Sequence, residues 1–424
     1  MNPAIKMRIQ NIINGTVCKG YIKTKVGVFP VDWKQVRFGD LFSRLQTKNK
    51  NGCDNVLTIS AQYGLINQGD FFNKDIASED KSNYFLLKKG DWAYNKSYSS
   101  GYPFGAIKRL DKYEKGIVSP LYICFADSKL PRCSNFYSHY FENGLMDKGI
   151  KAIAQEGARN HGLLNIGVQD FFNLPIMYPP VEEQEKIAEI LDAQDRIIKL
   201  KERLLEEKKL QKKYLMQQLL TGKKRLPGFS DEWEKVCFGN LIIEKDERTT
   251  KNNQFEILSV TKDGIQKQSE HFVKQIASQD NTGYKIIKRH QLAISVLNLW
   301  MGSLDVLTLC DIGIISPAYK VYDFAKGIMD PIFGRYFLKS YDVIWLYNIC
   351  SEQGASVVRK NLDFDALYKM KVKVPKIEEQ RIIANVLFSK DQEIELIQKT
   401  IEQEKQKKKA LMQLLLTGIV RTFK

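Results

Sequence analysis

Two stretches of the chain, 179–222 and 375–418, place apolar residues every seven positions on a charged background. In the first the series is Leu191, Ile198, Leu205 and Leu219, with Ile187 and Leu215 at companion positions. In the second it is Leu387, Ile394, Ile401 and Leu415, with Ile383, Ile397 and Leu411. A seven-residue apolar repeat keeps one seam on one face of a helix, so both stretches are expected to be coiled-coil rods. Each starts after a proline with a Glu-Glu pair suited to the positive end of a helix dipole, and each stops at a glycine, Gly222 or Gly418. A lysine interrupts both seams at the same step, Lys212 and Lys408, a defect of the kind that fixes register. About 39 helical residues at ~1.5 Å rise give rods on the order of 58 Å long.

Charge along the rods chooses their orientation. The first has six acids and one base over 182–195, then three acids and eleven bases over 196–225. The second has five acids and two bases over 378–395, then two and six over 396–421. Parallel pairing lays like charges side by side; antiparallel pairing sets each acidic start beside a basic end. Flank pairs contribute only a few tenths of a kcal/mol each, but a dozen of one sign decide the matter. An intramolecular antiparallel pair is therefore expected, relating two globular parts by a pseudo-two-fold axis and holding them at opposite ends.

The rods belong to a tandem duplication of the whole chain. At an offset of 200, Trp33, Val36, Phe38, Gly39 and Leu41 recur as Trp233, Val236, Phe238, Gly239 and Leu241, and Ile76, Ala77, Ser78, Asp80 and Tyr84 as Ile276, Ala277, Ser278, Asp280 and Tyr284. At 197, Ile117, Ser119, Pro120 and Tyr122 meet Ile314, Ser316, Pro317 and Tyr319. At 196 the rods agree at 21 of 44 positions, whereas the globular parts agree far more sparsely. Similar rods carry divergent heads.

Both heads read as α+β. Strands are expected at Val56–Ser60, Gly90–Tyr94 and Ile117–Phe125, and at Ile257–Thr261, Gln291–Leu297 and Ile312–Val321, with helices over Tyr137–Ile153 and Ile332–Ser351. The N-terminal stretch Ile9–Gly15 reads as a fragment of a rod end, Asn14-Gly15 echoing Thr221-Gly222.

Composition narrows the function. The 424 residues carry 65 Lys+Arg against 49 Asp+Glu, a net charge of +16, which points to a polyanionic partner with nucleic acid first. No apolar run approaches the roughly 18 residues of a membrane helix, and Met1–Gln10 lacks a signal-peptide core, so no membrane role is expected. Seven scattered cysteines, never spaced Cys-x-x-Cys, suggest reduced thiols in a cytoplasm rather than disulfides or zinc.

Candidate chemistry lies in polar loops of the heads. Head one offers Asn95, Lys96, Ser97, Tyr98, Ser99 and Tyr102, then Arg159, Asn160 and His161; head two offers Asn298, Trp300 and Ser303, then Ser356, Arg359 and Lys360. Arginine or lysine reads guanine, asparagine reads adenine, and apolar atoms meet the thymine methyl, so these loops are candidate DNA contacts. The two copies differ most here. Catalytic signatures are missing: Gly144 and Gly149 have phosphate-loop spacing, but Ile150-Lys151 follows, and the four histidines show no metal spacing. Asp330-Pro331-Ile332-Phe333 lacks the second proline of an amino-methyltransferase loop and reads as a turn opening a helix. Glu206-Glu207-Lys208 falls on a rod and reads as a surface charge run. The chain reads as a binder rather than an enzyme, with no metal and no cofactor of its own. A coiled-coil scaffold with protein-binding heads is the alternative.

The full motif set resembles one family over nearly the whole length: the specificity (S) subunits of Type I restriction-modification systems. It comprises Phe29-Pro30-Val31-Asp32-Trp33 through Phe38-Gly39-Asp40-Leu41, its echo Leu226-Pro227-Gly228-Phe229 to Trp233, Pro-x-x-Glu-Glu-Gln entering each rod and Leu-Met-Gln-x-Leu-Leu-Thr-Gly leaving it. The resemblance implies target-recognition domains at 25–178 and 226–374, a central helix at 179–222, a C-terminal helix at 375–418, and a segment 1–24 packing near the rod ends. It also implies that each domain reads half of a split double-stranded DNA site, while the helices act as ruler and as dock for two methyltransferase (M) subunits. Restriction (R) subunits join to cleave, and S-adenosylmethionine is bound by M for adenine N6-methylation. A self-contained restriction-methylation enzyme is the third reading, disfavoured by the missing cofactor loop.

Overall fold

The computed structural model describes residues 3–13, 16–50, 52–60, 63–71, 80–99, 101–128, 130–154, 162, 164–262, 264–271, 280–356 and 359–422. The chain falls into two compact units, Met1–Leu200 with Ile401–Lys424, and Lys201–Thr400. Each holds one head, half of one long helix and the complementary half of the other.

The two long helices are Val181–Leu219 and Ile377–Leu415, 39 residues each. Their antiparallel sense is explicit within each unit. In the first unit Ile187, Ala188 and Leu191, from the start of one helix, share a core with Met412, Leu415 and Leu416, from the end of the other. In the second unit Leu219 and Leu220 share a core with Ile383, Ala384 and Leu387. Of the seam residues, Ile187, Leu191, Ile198, Leu219, Ile383, Leu387, Ile401 and Leu415 are buried, and Leu205, Leu215, Ile394 and Leu411 are half-buried. The seam lysines are paired across the helices: Lys212 with Asp391, and Lys408 Nζ with Asp195 Oδ1 at 2.6 Å. Each aspartate also faces the head of its own unit. Asp391 accepts a 2.6 Å hydrogen bond from Tyr336 Oη, and Asp195 lies 3.9 Å from His139, whose Nε2 is 2.9 Å from Asp192.

Head one is built on a four-stranded antiparallel sheet in the order Phe42–Arg44, Ile123–Asp127, Trp92–Asn95, Ala106–Arg109. Head two repeats that order with Ile242–Lys245, Tyr319–Phe324, Leu292–Ser295 and Leu304–Val306. In both heads a two-stranded ribbon joins the entry of the chain to its exit. Lys34–Arg37 pairs with Pro175–Tyr178, and Glu234–Cys237 with Lys371–Val374. The ribbon feeds directly into the long helix, so the head and rod of one repeat share a root.

Several expected elements divide. Ile117–Phe125 and Ile312–Val321 are each two strands in different sheets, because Ser119-Pro120 and Ser316-Pro317 open tight turns closed by Tyr122 N–H to Ser119 O at 3.1 Å and Tyr319 N–H to Ser316 O at 3.0 Å. The strand expected over Gln291–Leu297 stops at Ser295, where a 3₁₀ turn takes over. Tyr137–Ile153 is two helices, Ser134–Glu142 and Asp147–Ile153, parted at Gly144 with φ +71°. Ile332–Ser351 likewise becomes Pro331–Phe337 and Tyr341–Ile349. Asp330 opens the former as an N-cap, accepting from the Ile332 and Phe333 amides at 2.9 and 3.1 Å. The N-terminal helix spans Pro3–Ile13 rather than Ile9–Gly15, and Asn14-Gly15 lies outside the described residues. In the first unit Arg8 donates to the Ile419 carbonyl and Tyr21 Oη to the Gly418 carbonyl at 2.7 Å.

The Glu-Glu-Gln that starts each long helix serves packing more than the helix dipole. Glu183 is fully buried and accepts from Trp33 Nε1 at 2.9 Å and from Arg421 Nε and Nη2 at 2.8 and 2.9 Å. Glu379 is buried in the same way and takes a two-pronged Arg225 at 2.9 and 2.8 Å. Gln184 receives the Cys133 amide at 3.0 Å and donates to Pro179 O at 2.8 Å; Gln380 receives the Asp330 amide at 2.9 Å and donates to Pro375 O at 2.9 Å. A buried carboxylate stripped of its cation is strongly destabilising. Arg421→Ala is therefore expected to lower stability by about 3 kcal/mol in denaturant melts. A loss under ~1 kcal/mol, as for an exposed pair, would contradict the clasp.

Candidate nucleic-acid interface

The loop after the Trp92–Asn95 strand is folded back on itself. Asn95 Oδ1 accepts the Ser97 amide at 3.0 Å, and Ser99 and Tyr102 exchange backbone hydrogen bonds. Gly105, at φ +79°, lets the returning chain pass close, since a Cβ there would sit 2.2 Å from Asn95 O. Asn95, Lys96, Ser97 and Ser99 are half-buried, whereas Tyr98 is 64% exposed. Burial pushes the Lys96 ammonium below the ordinary lysine pKa. The loop leans on the segment ahead of the rod through Tyr98 N–H to Gly162 O at 2.8 Å and Leu164 N–H to Lys96 O at 3.0 Å. Two stretches far apart in sequence are thus brought together; Arg159, Asn160 and His161 themselves lie outside the described residues.

In head two the corresponding loop is a 3₁₀ turn, Val296–Met301, closed by Gly302 at φ +79°. Asn298 and Trp300 are half-buried, and Trp300 O receives Asn348 Nδ2 at 3.4 Å. Ser303 departs from the expected exposed contact. It is 5% exposed, its amide donates to Asn298 O and its carbonyl accepts from Ser295, so it closes the turn instead of presenting a hydroxyl. Ser356 ends one strand and Arg359 and Lys360 start the other of a bulged hairpin, Ser351–Ser356 with Arg359–Leu362, whose second strand lies against the Val296–Met301 turn.

Behind the loops the heads share one ion pair with its charges exchanged. In head one Lys108, on the edge strand, pairs with Glu142 at the end of the Ser134–Glu142 helix. Tyr102 Oη bonds the same carboxylate, and the Lys108 ammonium stands 5.0 Å over the Tyr102 ring. In head two the edge-strand position is Asp305, 2% exposed, and its partners are Lys339, two residues past the Pro331–Phe337 helix, at 3.3 Å and Arg335 Nε, on that helix, at 2.9 Å. Lys108 faces Ala93 across the sheet as Asp305 faces Ala293, and Glu142 and Lys339 are related by the 197-residue offset. Burial favours the neutral acid at Asp305, but Lys339, Arg335 and the Ile265 amide more than offset it, and the carboxyl is held below the usual aspartate range.

Among the described residues no cluster of His, Cys, Asp and Glu could hold a metal, and no helix is long and apolar enough to cross a membrane. Sequence reasoning missed Arg225 and Arg421, although both stand three residues past the terminal glycine of a rod, and it missed the Lys108–Glu142 and Asp305–Lys339 exchange.

A duplicated frame with unlike surface loops defines a two-headed chain. The chain belongs to the family described as the Type I restriction modification DNA specificity domain, which matches residues 30–209 and 332–406, more than half of its length. DNA recognition is that family's general function. The chain is 25% identical to the provisionally named type I restriction enzyme MjaX specificity subunit of Methanocaldococcus jannaschii, over 95% of this chain and 97% of that one. It is 27% identical to the type I restriction enzyme MjaVIII specificity subunit of the same organism, over 61% and 65%. A solved chain described under complex assembly and conformational transition of the type I R-M system has the same fold, with a TM-score of 0.56 at 16% identity, covering 92% of this chain and 99% of its own.

The exchanged pair makes two testable statements. Asp305→Lys should destabilise, and adding Lys339→Glu should recover part of the loss, with a coupling of about 1–3 kcal/mol in a double-mutant cycle; additive losses would contradict it. Because the Asp305 pKa is lowered by folding, its contribution is present above the ordinary aspartate value near ~4 and is lost as pH falls below it. Acid titration of stability should therefore be shallower in Asp305→Asn than in the parent.

Proposed function

We propose that this chain is the DNA-reading, non-catalytic subunit of a type I restriction-modification complex, each head reading one half of a bipartite, asymmetric site. The observation that carries the reading is a duplicated frame, the same strand order and the same rod root in both repeats, bearing loops that differ in sequence and shape. Loops around Asn95–Tyr102 and Asn298–Trp300 supply amide, ammonium and aromatic groups of the kind that read base edges, and the net charge of +16 neutralises phosphates. The long helices set the spacing of the half-sites and dock methyltransferase subunits, two per chain. Support for docking comes from Ile190, Ile197 and Leu200, which stand exposed on the first helix away from its inner seam. S-adenosylmethionine and the methylation step belong to the partner M, and cleavage belongs to R subunits.

Methylation of defined DNA by the reconstituted complex tests this. Exchanging 95–102 together with 159–164 for the loops of another specificity subunit should change one half-site and leave the other and the gap intact. Deleting one seven-residue repeat from each long helix removes about 10 Å of rise and should alter the tolerated gap by about three base pairs while keeping both half-sites. An unchanged gap would refute the ruler, and methylation by the chain without M would refute the division of labour.

A further inference from the structure

We propose that each repeat carries a lysine-rimmed apolar groove that docks an acidic, apolar segment of the partner methyltransferase subunit, one segment per repeat. The proposal rests on the reading of the chain as a specificity subunit and adds a second, head-borne contact to it.

In the second unit the groove holds about 430 Å³ between the helix Tyr341–Ile349 and the ribbon strand Lys371–Val374. Its floor is Leu220, Trp233, Phe337, Val343 and Leu346. The helix is apolar on two sides. Val343 and Tyr347 are buried in the head, whereas Tyr341, Trp345 and Ile349, each four residues on from the last, are 80%, 55% and 50% exposed. Among the described residues nothing covers that outer stripe, and an apolar stripe bordered by charge marks an interaction surface. The border is cationic: Lys371 and Lys373 are exposed where Val372 and Val374 point inward, against one acid, Asp342.

The first unit has a groove of about 370 Å³ at an overlapping place in its fold. Leu145, Met146, Gly149, Ile153 and Leu174 line it, with Lys25 and Lys148 on the rim against one acid, Asp170. Met146 and Lys148 correspond to Val343 and Trp345 at the 197-residue offset, and Pro175 to Lys371 at 196. The lysines stand at non-equivalent positions, Lys148 where the second groove has Trp345 and Pro175 where it has Lys371, yet each groove has an apolar floor and two lysines on its rim. A cationic rim over an apolar floor is complementary to carboxylates flanking apolar anchors. Its presence once per repeat suits a partner that binds once per repeat. A bare phosphate backbone would use the lysines but leave the floor empty.

The test reverses the rims and measures assembly with the methyltransferase subunit in the absence of DNA, by sedimentation and calorimetry. Lys371→Glu with Lys373→Glu, or Lys25→Glu with Lys148→Glu, should each weaken one of two binding events at least tenfold, and the four changes together should weaken both. Trp345→Ser is expected to act on the second groove alone, and all variants change exposed side chains, so unchanged melting temperatures check the fold. Wild-type affinity in the fourfold variant would overturn the groove while leaving the specificity reading standing. Loss of DNA binding with methyltransferase binding intact would overturn it too, assigning the rims to nucleic acid. A parent chain that binds no methyltransferase subunit would overturn both readings.

Discussion

Two buried carboxylates organise this molecule. Glu183 and Glu379 sit in the first turn of the long helices, where water cannot solvate them, and each is neutralised by an arginine three residues beyond the glycine that ends the other helix. A buried charge without its partner costs several kcal/mol, so the start of one helix must lie beside the end of the other. In the second unit the arginine comes from the link between the repeats, and in the first it comes from the C-terminal tail. The tail does for one repeat what the link does for the other. The adjoining glutamines carry the constraint outward, binding a head backbone amide at Cys133 or Asp330.

Such a root leaves the rest of each head free to change. The sheet and ribbon orders are the same in both repeats, yet the edge strand carries a lysine in one and an aspartate in the other, each with a partner of opposite sign at the end of the neighbouring helix. Compensation of that kind keeps the packing while the local field reverses. The loops over these pairs differ in backbone type as well as sequence, a folded-back loop in one head and a 3₁₀ turn in the other. The strand order is thus retained while side chains within the frame and the backbone of the outer loops both diverge.

Much of the frame was legible in the sequence because it rests on periodicity and repetition. The heptads placed both long helices, and the charge gradient gave their antiparallel sense. Element boundaries inside the heads were less legible. Ser-Pro turns cut continuous apolar runs at Pro120 and Pro317, and Gly144 split an apparently single helix. Their periodicity continued through the break, so turn chemistry had to overrule it. The loops resisted most. Ser303 looks like a surface hydroxyl in sequence but is buried by a turn that depends on Gly302 at positive φ and on Ile344 packed below it. The proximity of Lys96 and Leu164, some seventy positions apart, depends on tertiary folding alone.

The most direct measurement is a genome-wide map of N6-methyladenine in a host carrying the chain and its methyltransferase, compared with the same host lacking the chain. The account predicts one additional motif made of two unlike specified halves around an unspecified gap of fixed length, absent when the chain is absent. A map that does not change, or a new motif that is a single uninterrupted sequence, would contradict it.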